Sequence, residues 1–218
     1  QSKIDIDINY KLITEEKDLI NWVRGVYLRG IVAVDTETTS IDSVSADLVG
    51  VSLSFEPGNA IYIPLAHKSK EGAIIAEEIK QIDINKALSI LKPVLEDPSI
   101  IKIGQNIKYD MTILKNAGNI NIYPIHDTML MSFVLDAGKH IGHGMDALAK
   151  AHLNISTISY SEITGKGKEQ VTFDHVSLDK ALVYAAQDAD ITLRLYLNFN
   201  RRLIKEKMVT LYESIERP

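Results

Sequence analysis

Asp35 and Glu37 stand one residue apart, directly after the apolar run Ile31–Val34. Residues two apart in an extended chain point to the same side. The two carboxyl groups therefore converge on one point, and convergent hard oxygens suit Mg²⁺ or Mn²⁺. A strand end that simply meets water carries the same residue types, so the pair alone does not decide between the two readings. Asp110 follows a second apolar run, Ile100–Ile103, and the segment Gly104-Gln105-Asn106-Ile107-Lys108-Tyr109-Asp110. Asn106 is suited to cap a helix there. Asp110 lies one turn later, where the helix dipole favours an acid with or without a function. Tyr184 and Asp188 are four apart in the last apolar-periodic stretch and share one helix face. Ala185, Ala186 and Ala189 leave room beside them for a close approach. An Asp among such neighbours is costly to bury unless it is paired or metal-bound. Asp190 points elsewhere on the helix and reads as an exposed residue or a structural partner.

These residues need elements to hold them. Residues 1–13 alternate as an edge strand or ordered tail would. Thr14, Glu15 and Glu16 then open an amphipathic helix that ends near Gly30. Ile31–Val34 reads as a central strand buried on both faces. Residues 48–55 and 60–65 form a hairpin around Pro57-Gly58-Asn59, followed by a polar loop over 67–73. A helix is expected over 85–95, with Pro93 near its end. A short strand follows at 100–103 and a helix at 106–116, stopped by Gly118. Further helices are expected at 128–135, at 145–152 and from Ser177 to about Lys207, with irregular chain over 154–174. Strands followed by alternating helices and strands indicate an α/β fold with a mixed sheet.

The chain has 218 residues, 45% hydrophobic and 24% charged, which is a globular mixture rather than a disordered one. It has no cysteine, so disulfides, thiolate metal sites and thiol nucleophiles are excluded. No apolar run is long enough for a membrane helix. With no secretory signal, the cytoplasm is the default compartment. The net charge of −5 argues against a grip on nucleic acid through bulk positive charge. It is compatible with an enzyme whose acids hold metal ions. His140 and His143 sit in a glycine-rich turn with no third histidine to complete a zinc site, and read as loop or structural residues. The first residue is Gln1, which suggests a piece of a longer protein.

A strand followed by paired acids also opens phosphatases of the haloacid dehalogenase type, but those carry Asp-x-Asp where this chain has Glu37. The order of the three elements fits something else. Strand with Asp-x-Glu, strand–helix with Asn-x-x-x-Asp, and helix with Tyr-x-x-x-Asp together resemble the 3′–5′ exonucleases of the DEDD superfamily, tyrosine subgroup. The resemblance is closest to the proofreading domain of bacterial family A DNA polymerases. It rests on Val34-Asp35-Thr36-Glu37-Thr38, the 104–110 segment, Asp127-Thr128-Met129-Leu130, Gly165-Lys166-Gly167-Lys168 and Tyr184-Ala185-Ala186-Gln187-Asp188-Ala189-Asp190.

The resemblance implies an RNase H-like mixed central sheet flanked by helices. Residues 1–30 would lead into the exonuclease domain at 31–207, and 208–218 would open a polymerase region absent from this chain. It implies two divalent cations, Mg²⁺ with Mn²⁺ as an alternative. Asp35 would bridge them, Glu37 and Asp188 would complete the shell of the first, and Asp110 would hold the second. Tyr184 would stay neutral and orient the attacking water. The partner would be a single-stranded or frayed DNA 3′ end. Ile41 would wedge beneath the terminal base and Phe173 would stack on it, although both also fit an ordinary core. Gln105, Asn106 and Tyr109 would line the terminal nucleotide, and Lys166 and Lys168 would touch phosphates. The run 137–143 offers no clear phosphate-contacting residue. Two other functions fit the same positions: a silent scaffold that only binds DNA, and an RNA-trimming nuclease of the RNase D type.

Overall fold

The computed structural model describes residues 7–69 and 79–218. The start of the alternating N-terminal run, and the expected 67–73 loop from residue 70 onward, lie outside the described residues. The remaining elements are β1 (Asn9–Leu12), α1 (Glu16–Arg29), β2 (Ile31–Thr38), β3 (Leu48–Glu56), β4 (Asn59–Pro64), α2 (Ile84–Leu95), β5 (Ile101–Gly104), α3 (Lys108–Gly118), β6 (Ile125–Asp127), α4 (Thr128–Asp136), α5 (Met145–Leu148), α6 (Tyr160–Thr164), α7 (Leu178–Lys205) and α8 (Val209–Leu211). The six strands form one mixed sheet in the order β1-β4-β3-β2-β5-β6. The β2–β3 and β3–β4 pairs are antiparallel, and the β1–β4, β2–β5 and β5–β6 pairs are parallel.

The alternation of β2 divides the core. Val32 and Val34 face one side, where α1, α2 and α3 bury Leu19, Val23, Val26, Leu88, Leu91 and Ile113. Ala33 faces the other side, toward α4 and α7. Asp35 and Glu37 share the parity of Ala33 and so turn toward α7. Their cross-strand neighbours on β3 are small: Ser52 opposite Asp35 and Gly50 opposite Glu37. The facing stripe of α7 is buried alanine, with Ala181, Ala185, Ala186 and Ala189 all inaccessible. The room left by these alanines is filled by the sheet itself, which brings the helix backbone close to the acidic strand. A larger side chain at Ala185 would force the layers apart, at roughly 1–3 kcal/mol.

Several boundaries differ from the sequence expectation. β2 continues past Val34, so Asp35 and Glu37 lie within the strand rather than beyond it. The expected helix over 145–152 is the single turn α5 followed by a π-helical turn, Ala149–Leu153. The expected irregular stretch contains α6, closed at its start by a reciprocal pair: the Ser159 side chain binds the N3 backbone and Glu162 reaches back to the Ser159 N–H. Asp190 is structural and buried. Its carboxylate accepts from the Tyr10 hydroxyl (2.8 Å), the Gly58 N–H (2.7 Å) and the Arg194 guanidinium (2.6 and 2.9 Å). One side chain thus ties β1, the β3–β4 turn and α7 together. Among the described residues, no helix is long and apolar enough to cross a membrane.

Candidate active site

Asp35, Glu37 and Asp188 each bring a carboxylate oxygen to within 4.8 Å of the others. β2 supplies the first two through its two-residue repeat, and α7 supplies the third across the alanine-lined contact. Asp110 is not a member of that tight set. β5 pairs with β2 only as far as Ala33, so the N–H of Thr36 has no strand partner on that side. Asp110 takes its place: its Oδ1 accepts from the Thr36 N–H (2.9 Å) and the Thr36 hydroxyl (2.6 Å). One Asp110 oxygen is therefore committed to β2, and the acid still lies close enough to raise the pKa of Asp35 and Glu37.

Among the described residues, no positive group offsets the charges on Asp35 and Glu37. Burial, and then the charges of Asp110, Glu37 and Asp188, push Asp35 well above the ordinary carboxylate range. Burial, then Asp188 and Asp110, do the same to Glu37. Burial lifts Asp110 to about 7 against the opposing Thr36 hydrogen bonds, and lifts Asp188 to about 8. The Tyr184 hydroxyl hydrogen-bonds to Asp188, and burial together with that negative charge holds the phenol well above its usual pKa. Tyr184 is therefore neutral near pH 7. Glu37 Oε1 is buried without any hydrogen-bond partner. A buried carboxylate oxygen left bare, in a set made only of hard oxygen donors, fits a Mg²⁺- or Mn²⁺-like cation.

These raised values have a stability consequence in metal-free buffer. Between the ordinary carboxylate pKa and about 8, the folded protein holds protons that the unfolded chain has released. Stability therefore falls as pH rises through that window. The buried histidines act with the opposite sign. His126 is held down to about 4 by burial, and His67 is also lowered by burial, so both oppose folding only below the ordinary histidine range. In EDTA between about pH 6.5 and 8, the wild type should lose more stability than Asp188→Asn, by roughly 1 kcal/mol per pH unit. Thermal melts of the two proteins check this, and parallel pH profiles would contradict it.

A cleft of about 690 Å³ runs from Glu37 along Thr38–Ile41 to Asn106, Tyr109, Tyr160, Gly167 and Gln170–Thr172. Ile41 stands on its rim and is 98% exposed, so the core reading of this residue does not hold. Tyr109 lines the cleft, and its hydroxyl is hydrogen-bonded to Thr38 and to the Ser40 carbonyl at the base of the Ile41 loop. Phe173 does not stack in the cleft as expected. It is fully buried among Tyr62, His67, Tyr160 and Tyr184, with no face free for a base. The aromatic ring that reaches the cleft from this cluster is Tyr160 on α6, 40% exposed. Its signal in the sequence is Ser159-x-x-Glu162, which fixes the start of the helix that presents it.

Asn106 lines the cleft but does not cap α3. It is left-handed (φ 59°), and Ile107 holds the cap position without a side-chain bond. Gln105 lies behind the cleft, donating to the His143 carbonyl (2.9 Å) and accepting from Thr128. Lys166 and Lys168 flank Gly167 and are exposed. His143 stacks on Phe133 and bonds Ser132, as a structural residue does.

A family profile described as 3′–5′ exonuclease matches residues 10–204. The chain is 42% identical to DNA polymerase I of Rhizobium leguminosarum over 220 aligned positions, covering 96% of this chain and 22% of that protein. It is 41% identical to DNA polymerase I of Pseudomonas aeruginosa, covering 90% of this chain and 21% of that one. The chain thus spans about a fifth of the length of these relatives. Among solved structures, NrnC of Brucella melitensis with bound Mg²⁺ superposes with a TM-score of 0.66 at 22% identity, covering 96% of this chain and 88% of that one. Escherichia coli RNase D, an exoribonuclease, superposes with a TM-score of 0.66 at 18% identity, covering 94% and 47%. These likenesses establish the RNase H-like exonuclease fold.

Proposed function

The chain belongs to the 3′–5′ exonuclease family whose members include a region of DNA polymerase I, and from that premise we propose that it removes nucleoside 5′-monophosphates one at a time from DNA 3′ ends, as a proofreading domain. The observation that carries this reading is the convergence of Asp35, Glu37 and Asp188 with the bare Oε1 of Glu37, at one end of a cleft wide enough for a nucleotide. Two Mg²⁺ or Mn²⁺ ions, when bound, would supply the positive charge that stabilises the attacking and leaving oxygens of an in-line displacement. Asp35 would serve both ions. Glu37 and Asp188 would complete one shell, and the uncommitted oxygen of Asp110 would serve the other.

The remaining work falls to side chains. Neutral Tyr184 donates a hydrogen bond to Asp188 and keeps its proton, which leaves a lone pair on the phenol oxygen to accept from the attacking water. Water adds to the terminal phosphorus and the bond to the 3′ oxygen of the preceding sugar breaks. The products are a nucleoside 5′-monophosphate and a strand shorter by one, with a free 3′ hydroxyl. Ile41 would wedge against the terminal base, with Tyr160 rather than Phe173 available to stack. Asn106 and Tyr109 would line the sugar, and Lys166 and Lys168 would meet phosphates. We assign 31–207 to the exonuclease unit, with 1–30 leading in and 208–218 as the junction to a polymerase domain. That domain would supply most of the duplex binding, consistent with the net charge of −5.

A base pair must open before its 3′ nucleotide enters the cleft, at a cost of a few kcal/mol. Single strands and mismatched ends should therefore be digested at least ~10-fold faster than matched ends. Rates on matched duplex, mismatched duplex and single-stranded DNA, with an RNA of the same sequence alongside, test the proposal. Equal rates on matched and mismatched ends would contradict it. Faster digestion of the RNA would favour the RNase D-type reading, and binding without digestion the silent scaffold.

A further inference from the structure

The Asp127 carboxylate sits where two helix starts meet. It accepts from the N–H groups of Met129 (2.8 Å) and Leu130 (3.4 Å) at the head of α4. It also accepts from the N–H groups of Asn106 (3.1 Å) and Ile107 (3.0 Å), twenty residues away at the entry to α3. No side chain of α3 caps that helix itself, so Asp127 supplies its cap from outside. The residue is 3% exposed and does not border the cleft. Its own N–H donates to the Tyr212 hydroxyl (3.1 Å), and Tyr212 is fully buried. Asp127 is thus held from behind while it holds the turn in front.

What it holds is the left-handed Asn106, which lines the cleft. A left-handed non-glycine backbone persists only where its surroundings fix it. The Asn106 N–H bonded to Asp127 is part of that fixing. Asp110, four residues on, has a separate tether in the two bonds from Thr36. The two ends of this segment are therefore secured by different groups, and loosening one need not displace the other.

We propose that Asp127 is a positioning residue for substrate: through the Asn106 and Ile107 amides it sets the turn that grips the terminal nucleotide, while leaving the metal-facing acids in place. This rests on the exonuclease reading above. Losing the charge-assisted pair at Asn106 and Ile107 should weaken the grip about tenfold. In Asp127→Asn, with the shape kept and the charge removed, KM for single-stranded DNA should rise by about tenfold while kcat falls less than about threefold. Tyr212→Phe leaves the carboxylate but removes its anchor, and should raise KM by a smaller factor in the same direction.

The test is steady-state kinetics of both variants in Mn²⁺. Beside it, the affinity for a fluorescein-labelled single strand is measured by anisotropy in Ca²⁺, with circular dichroism to confirm folding. A raised KM and a matching loss of affinity at near-normal kcat support the proposal. A folded Asp127→Asn with a lower melting temperature but unchanged KM and affinity overturns it, since the residue would then serve stability alone. A fall in kcat with KM unchanged also overturns it. If Asp127→Asn does not fold, an unchanged KM in Tyr212→Phe has the same force. A wild type that binds the strand without digesting it would refute the exonuclease reading, and the affinities of the variants would still decide the role of Asp127. A wild type that neither binds nor digests overturns both.

Discussion

Asp35→Ala should abolish digestion while leaving the fold intact. Asp35 is the acid proposed to serve both ions, so on that proposal its loss removes the ligand on which the whole charge arrangement depends. A fall of at least ~10³-fold, about 4 kcal/mol of transition-state stabilisation, is expected. The fold should survive because Asp35 does not support it. Burial and three acidic neighbours oppose its charge in the folded protein, and among the described residues no cation offsets them. Deleting one of several repelling groups relieves the rest. In EDTA near pH 8 the variant should therefore melt at or above the wild-type temperature. Activity measured at saturating Mn²⁺, beside thermal melts with and without metal, checks both halves. Near-normal digestion by folded Asp35→Ala would remove the metal assignment. A marked loss of stability without metal would mean that the electrostatic account of the cluster is wrong.

Tyr184→Phe and Asp188→Asn should separate two roles that share one helix face. Tyr184→Phe removes a hydroxyl that is neutral and bonded to Asp188, and leaves every acid in place. Ion affinity should change little. On the proposed role the attacking water loses an acceptor, so kcat should fall by about 10- to 100-fold with a much smaller change in KM. Asp188→Asn removes one charge from Asp35, Glu37 and Asp188, the set proposed to hold the first ion. Mn²⁺ affinity and turnover should both drop. Mn²⁺ titration of each variant, followed by kinetics at saturating metal, distinguishes them. Full rescue of Tyr184→Phe by excess metal, or an affinity loss equal to that of Asp188→Asn, would place Tyr184 in the metal shell instead.

The parts of the site that the sequence makes legible depend on local periodicity. Asp35 and Glu37 converge because strands repeat every two residues, and Tyr184 and Asp188 align because helices repeat nearly every four. Most sheet strands were readable from alternation or from continuous apolar runs, although the acids of β2 hid the strand's continuation to Thr38 and the three-residue strand β6 was not read. Non-local relations were not readable. Asp110 reaches Thr36 across 74 positions because β5 stops short of β2's far half. Asn106 looks like a cap in sequence, but the cap comes from Asp127. Phe173 offers the expected aromatic, yet the chain buries it beneath Tyr160, whose helix lay in a stretch that composition alone marks as irregular. Asp190 is separable from Asp188 in sequence by its helix face, but only the meeting of Tyr10, Gly58 and Arg194 around it shows a buried structural tie rather than an exposed acid.

The most direct test of the central claim is the polarity of digestion. Single-stranded DNA labelled at its 5′ end, and the same strand labelled at its 3′ end, are incubated with the wild-type protein and Mn²⁺, with Asp35→Ala as the blank. The account predicts that the 3′ label appears at once as a mononucleotide. The 5′ label should pass down a ladder that shortens one nucleotide at a time, with neither product formed by Asp35→Ala. Early release of the 5′ label as a mononucleotide, internal cuts, or digestion that persists in Asp35→Ala would contradict it.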